Sequence, residues 1–364
     1  MPFCKEMHRY LGGDFYFVAT EPAAVEQLAL GYTDLNSIFP FVCKSYEGDY
    51  QYAWAKELAT EADVVVLGSA PLEFVSERLK QDKLTFFYAE RLYKHPCKIW
   101  TWPLKLYQLW KRYGRYRNFY LLCASAYTAQ DYSKTLTFIN KSYKWGYFPE
   151  VKTYNNLEGL IKRKKPANIM WAGRFIDWKH PEFVIEVARR LKAEGYKFQI
   201  NMLGNGVLFD YIKQLICDNK LEKEVNLLGA MSPIDVRMHM EQASIYLFTS
   251  DRNEGWGAVL NESMNSGCAV VASDDIGAVP FMLQNGYNGL VFHSGDVGDL
   301  YRNLKTLLDS PELCVQFGKN AYETITQHWN ADIAAERLIQ LSHLLLQGEK
   351  HPYPYSEGPC SKAI

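Results

Sequence analysis

Two short apolar runs, Ile245-Tyr-Leu-Phe248 and Cys268-Ala-Val-Val-Ala272, leave this chain little freedom in how it folds. Each has the length and residue type of a parallel strand covered on both faces. The stretch between them must therefore leave the sheet, cross one face as a helix and return. Glu254-Gly-Trp-Gly257 enters that helix and Gly267 ends it. Gly255 and Gly257 let the backbone N–H groups that follow, including those of Trp256, Ala258 and Val259, come close to a ligand, and a helix N-terminus favours an anion such as phosphate. The carboxylates of Glu254 and Glu262 bracket the helix. At ~1.5 Å rise per residue their offset spans roughly 12 Å, so one carboxylate can address each end of an extended ligand. The plainer alternative is that both are helix-flanking acids favoured by the dipole.

A chain of 364 residues accommodates two domains with separate cores. Its net charge of −1 argues against a general nucleic-acid binder. The eight cysteines are scattered, with no C-x-x-C and no zinc-like spacing, and read as reduced cytosolic thiols. No apolar run reaches the roughly 18 to 20 residues that cross a bilayer, and the start lacks a signal peptide's apolar stretch. The expected location is cytoplasmic, with room for peripheral contact with a membrane.

In the first half, a helix carrying Phe3, Met7 and Leu11 on one face is stopped by Gly12-Gly13. Strands are expected at 15–19, 64–67, 84–88 and 120–124, with helices at 50–60, 72–81 and 126–134. The alternation favours a doubly wound sheet. From Arg91 to Gln130 there is no acidic residue, while lysines and arginines are interleaved with Trp100, Trp102, Tyr107, Trp110, Tyr113 and Tyr116. This pattern suits anionic headgroups or the diphosphate of a lipid-linked acceptor, or else a solvated basic helix whose tryptophans are buried. Tyr143–Pro149 is a turn-rich exit, and Asn155 through Pro166 reads as a linker whose charge run is a solvated hinge.

The second half begins with the strand Asn168–Ala172, running into Gly173-Arg174, with Lys179 just before a helix that starts near Pro181. Phe198–Leu203 followed by Gly204-Asn-Gly206 is another strand and glycine turn, and Val225–Gly229 another strand. Ser232 is placed to cap the next helix. A helix at 316–326 is interrupted by Trp329, and 331–346 forms a terminal amphipathic helix.

The Glu254-x7-Glu262 arrangement, followed by SGCAVVASDDIGAVP and Asn288–Phe292, resembles the signature of the retaining family 4 glycosyltransferases, and Gly173-Arg174…Lys179 resembles the pattern that precedes it. The resemblance covers 167–344 well and the first half in outline. It implies a GT-B fold, α/β, with two Rossmann-like doubly wound domains facing a cleft. The first domain, 1–155, lacks its first strand. The donor domain is 156–330, a helix at 331–347 crosses back, and 348–364 is a disordered Pro-rich tail.

By the same resemblance, Glu254 meets the donor sugar, Gly255 to Gly257 the diphosphate and Glu262 the ribose, while the loop Gly229-Ala230-Met231 meets the nucleobase. Trp256 stands where relatives carry a smaller aromatic. Arg174 and Lys179 would clamp the diphosphate, unless Arg174 simply pairs with Asp177. A first-domain histidine is expected near the sugar; Glu90, Arg91 or His95 would stand in its place. No metal or cofactor is implied: the leaving diphosphate would be stabilised by cations and N–H groups, and Asp274-Asp275 reads as a turn rather than a metal pair. The implied activity is transfer from a nucleotide diphosphate sugar to a saccharide or lipid-linked saccharide. The competing expectations are a non-catalytic sugar-nucleotide-binding subunit and an epimerase of the same fold. A dinucleotide oxidoreductase would need a G-x-G-x-x-G turn with a distant acid, which the sequence lacks.

Overall fold

The described chain opens with the helix Pro2–Leu11, which buries Met7 and stops where Gly12 takes a φ of 57°. The computed structural model describes residues 1–24, 33–92 and 102–364. Two units divide it: Met1–Phe148 together with Ala331–Ile364, and Pro149–Asn330.

In the first unit, β1 (Phe17–Ala19) pairs in parallel with β2 (Val42–Lys44). The strands β3 (Val65–Leu67), β4 (Thr85–Ala89), β5 (Phe119–Cys123) and β6 (Ser142–Lys144) form a parallel sheet in that order. Its core is aromatic, with Phe87 stacked on Tyr113 at 5.1 Å and both rings set against Tyr132 and Phe138. Arg78 is fully buried. It donates to the carbonyls of Ala59, Ala62, Asp63 and Leu84 and to the Thr85 hydroxyl, so its burial is satisfied without a carboxylate. The terminal helix Ala331–Leu346 packs on the first helix, where Asp332 accepts from Tyr10 Oη at 2.8 Å and pairs with Arg9.

Two expectations change here. The segment 142–144 is a strand rather than part of an exit turn. The tail is not disordered, because it supplies the neighbour that β6 lacks on its outer edge. Lys362 bridges Tyr143 antiparallel, Cys360 N–H donates to Lys144 at 2.8 Å, and Ala363 N–H donates to Ser142 at 3.1 Å. Cys360, Ser361 and Ala363 are buried.

The second unit holds six parallel strands. They are β7 (Lys165–Ala172), β8 (Gln199–Leu203), β9 (Val225–Gly229), β10 (Ala243–Phe248), β11 (Ala269–Ser273) and β12 (Gly289–Phe292), in the spatial order β12-β11-β10-β7-β8-β9. Counted within the unit this is 3-2-1-4-5-6 in reverse, the doubly wound order, and its topological switch point lies between β7 and β10. Helices cover both faces, so β10 and β11 are almost wholly buried, as their continuous apolar runs require.

The division between units falls at 148/149 rather than 155/156. The expected linker is instead a helix, Leu157–Arg163, capped by Asn156 and burying Leu160 and Ile161. Lys164 is no solvated hinge: its ammonium is buried and donates to the carbonyls of Met240 and Ala243 at 2.9 and 2.7 Å. A helix at Val297–Asp309 goes beyond the sequence expectations, and the next, Pro311–Gln327, extends further both ways than expected. Among the described residues no helix is long and apolar enough to cross a membrane.

Ending the chain at Gly358 removes those edge hydrogen bonds and the buried tail residues. The expected cost is on the order of 3 kcal/mol, read as a lower Tm in thermal denaturation beside the full chain.

Candidate functional site

At the switch point the ends of β7 and β10 lie side by side, with Ile245 opposite Ile169 and Tyr246 opposite Met170. The loops that leave them are then tied together by side chains. Trp171 Nε1 donates to Thr249 Oγ1 at 2.9 Å, and Thr249 Oγ1 donates to the Lys179 carbonyl at 2.6 Å. The Asp251 N–H donates to the Trp178 carbonyl at 3.0 Å. His180 adopts a left-handed backbone conformation, with φ 50° and ψ 52°. Its ring contacts Glu182 at 2.8 Å and Asp251 at 3.5 Å, and the Glu182 hydrogen bond raises its pKa above the ordinary imidazole value.

This lacing brings Lys179 and Glu254 together as an ion pair, although they are far apart in sequence. Ser250 Oγ donates to the same carboxylate oxygen at 3.0 Å. The Lys179 ammonium lies 4.7 Å from the Trp178 ring centroid and 5.6 Å from that of Phe248. Arg174 is exposed, with its guanidinium 5.6 Å from the same Trp178 ring. It has no carboxylate partner among the described residues, so pairing with Asp177 does not occur. Two cations thus lie within cation–π range of one indole ring.

The glycine turns are close approaches of backbone to backbone. A Cβ on Gly204, whose φ is 126°, would run into the Gly173 carbonyl, and one on Gly206 into the Phe175 carbonyl. Gly257 has φ 88° and a Cβ there would lie 2.5 Å from the Phe248 ring. These glycines let the β8 turn nest against the Gly173-Arg174 loop and let the chain turn into the helix Ala258–Asn265. At the end of β9 the Gly229 carbonyl accepts from Gly204 N–H at 2.8 Å. Beyond it Ala230 is exposed and Met231 half-buried. Ser232 caps the following helix through Asp235 N–H, as the sequence suggests.

The spacing of the two glutamates differs from expectation. Gly257 breaks the helical path, so Glu254 belongs to the loop and only the step from Ala258 to Glu262 has helical rise. A span of roughly 12 Å does not follow. Trp256 is 1% exposed; its Nε1 donates to Asn261 at 2.9 Å and its ring packs against Trp329 and Phe281. The indole is therefore committed to the core, leaving the backbone of Gly255, Trp256, Gly257, Ala258 and Val259 as what this turn can offer. Burial pushes the Glu262 carboxyl above the usual range, against the pull of Arg237.

In the first unit, Glu90 accepts from Tyr147 Oη at 2.5 Å. Arg91 lies over the Tyr127 ring at 4.4 Å and 3.6 Å from Asp131. His95 lies outside the described residues. Asp274 accepts from His293 and from Ser294 N–H, a turn role. Among the described residues no group of three or more His, Cys, Asp or Glu side chains is placed to hold a metal.

Thr249, Ser250, Asp251, Trp178 and His180 escape a reading of the sequence. Their signal is modest: polar residues directly after a buried strand, and an aromatic-basic triplet directly before a Pro-initiated helix.

The fold with this switch-point site is that of GT-B glycosyltransferases. A glycosyltransferase from Rickettsia africae superposes with a TM-score of 0.64 at 16% identity over 95% of both chains. Anabaena HepE, solved in complex with UDP, gives 0.64 at 15% identity over 82% of this chain and 84% of that one. Residues 155–324, which lie within the second unit, match the family model Glycosyl transferases group 1. In sequence the chain is similar to the amylovoran biosynthesis glycosyltransferase AmsK of Erwinia amylovora, 27% identical over 49% of this chain and 44% of that protein. It is also similar to an N-acetylgalactosaminyltransferase of Campylobacter jejuni that acts on a diphospho-undecaprenol substrate, 30% identical over 41% and 39%. The matches thus span less than half the length of these curated relatives.

Because the folded Glu262 carboxyl holds its proton more tightly than the unfolded one, stability falls as pH rises from the ordinary glutamate value through the raised one. Glu262→Gln is expected to raise the Tm of the ligand-free protein at about pH 8 and to leave it unchanged near about pH 4. The same Tm difference at both values would show that the charge is not penalised.

Proposed function

We propose that the protein is a glycosyltransferase that moves a sugar from a nucleotide diphosphate sugar to a hydroxyl, with retention at the anomeric carbon. The observation that carries this reading is the convergence of Lys179, Glu254 and Arg174 at the switch point of a doubly wound sheet, where such folds bind nucleotides. As the glycosidic bond breaks, charge grows on the leaving diphosphate. Arg174, Lys179 and the N–H groups opening the helix Ala258–Asn265 are fixed positive ends for it, and no metal is required in this scheme. Glu254 takes the sugar hydroxyls and Glu262 the ribose. The HepE complex supports UDP as the nucleotide to test first.

The acceptor we propose is a lipid-linked saccharide in cell-surface polysaccharide synthesis. The amylovoran enzyme and the diphospho-undecaprenol enzyme support it. So does the first unit's surface. In the helix Trp102–Leu109 and the π-helical turn Trp110–Gly114, Tyr113 is turned into the core, while Leu104, Tyr107 and Trp110 are 71, 60 and 47% exposed. Lys111, Arg112, Arg115 and Arg117 are exposed beside them. Apolar tips among cations with no acid between 91 and 130 suit peripheral contact with the anionic inner face of a membrane.

In EDTA-containing buffer, a UDP-sugar should raise the Tm and be slowly hydrolysed, and Arg174→Ala should lower hydrolysis by about 10²- to 10³-fold. Binding without turnover, even with acceptor, would favour the non-catalytic subunit instead. In flotation assays, the protein should rise with phosphatidylglycerol-rich vesicles but not with phosphatidylcholine. Leu104→Ser with Trp110→Ser should abolish this; equal flotation of that variant would refute the surface.

A further inference from the structure

The cation assigned to the diphosphate, Lys179, is paired with an anion from the same chain, Glu254. Lys179 and Glu254 have side chains only 12% exposed, and the carboxylate is held further by Ser250. Trp178 and Phe248 lie against the ammonium, so little water screens the pair. The Glu254 backbone is fixed by its own N–H, which donates to the Asp251 carbonyl at 3.0 Å. Any change of partner is therefore a swing of the side chain alone.

A diphosphate reaching Lys179 brings a second anion beside that carboxylate, and one ammonium cannot neutralise both. Glu254 must let go, and a buried carboxylate does so cheaply only if other donors receive it. A donor's sugar offers hydroxyls for that purpose. A bare nucleoside diphosphate has only its ribose hydroxyls, which the reading above gives to Glu262.

We propose that Glu254 is a built-in competitor of the nucleotide. A sugar-bearing donor releases it from Lys179 onto the sugar, and it reclaims Lys179 once the sugar has been transferred, so that the spent nucleoside diphosphate is expelled. This rests on the donor site proposed above. It gives one carboxylate two duties that act in sequence: selecting the loaded donor, and discharging the empty one.

Calorimetric titration of UDP and GDP into wild type, Glu254→Gln, Lys179→Gln and the double variant tests this, with the Tm of each checking that it folds. The expected result is that Glu254→Gln binds one of these nucleotides roughly tenfold more tightly than wild type. In the Lys179→Gln background the same substitution should bring no gain. If wild type binds but Glu254→Gln binds equally or more weakly, the competitor role is overturned and the donor site stands. A gain that persists without Lys179 also overturns it. Binding by none of the four proteins overturns both readings together.

Discussion

Where β7 lies against β10, the crossovers leaving the sheet turn to opposite sides, and neither can fill the gap this opens above the strand ends. The sheet cannot close that gap without changing its strand order, so the crevice belongs to the topology. What the sequence adds is a rigid rim. Trp171 reaches from β7 to Thr249, just beyond the end of β10, and Thr249 passes the tie on to the Lys179 carbonyl. Both groups are buried, and a buried polar group that loses its partner costs more than the bond itself is worth. The positions of Lys179 and Glu254 thus depend on hydrogen bonds made by neighbouring Trp171 and Thr249.

The charged groups at this rim stand in contrasting states. Lys179 and Glu254 neutralise each other in a nearly dry setting, whereas Arg174 rests in solvent over an aromatic face. Glu262 carries a burial penalty that Arg237 only partly offsets. Of these groups Glu262 is the one whose charge the fold penalises.

Much of this was legible in advance, and what was not has physical causes. The strands β10 and β11 announce themselves because burial on both faces demands unbroken apolar runs. Arg174, Lys179 and Glu254 are singled out by the family resemblance, and the glycines by the turns that follow the strands. The helix spacing failed at Gly257, because no periodicity rule foresees one left-handed residue resetting the phase. The place of the Trp256 ring was not legible, because Trp329 and Phe281 claim it from segments distant in the chain. The buried Lys164 and the helix before it were hidden inside a charge run that composition alone assigns to solvent. The tail reads as disordered because its prolines and polar residues say nothing of the vacant sheet edge it meets.

That tail and the helix before it belong to the first unit, so along the sequence the second unit is an insertion in the first. During synthesis the ribosome delivers all of the inserted unit before the segment that finishes its host. The later-encoded domain can therefore be native while β6 still shows an open edge and the first helix still lacks the partner it packs on. Such edges are where nascent chains aggregate. Residues 360–363 thus act as a latch on the outer edge of β6.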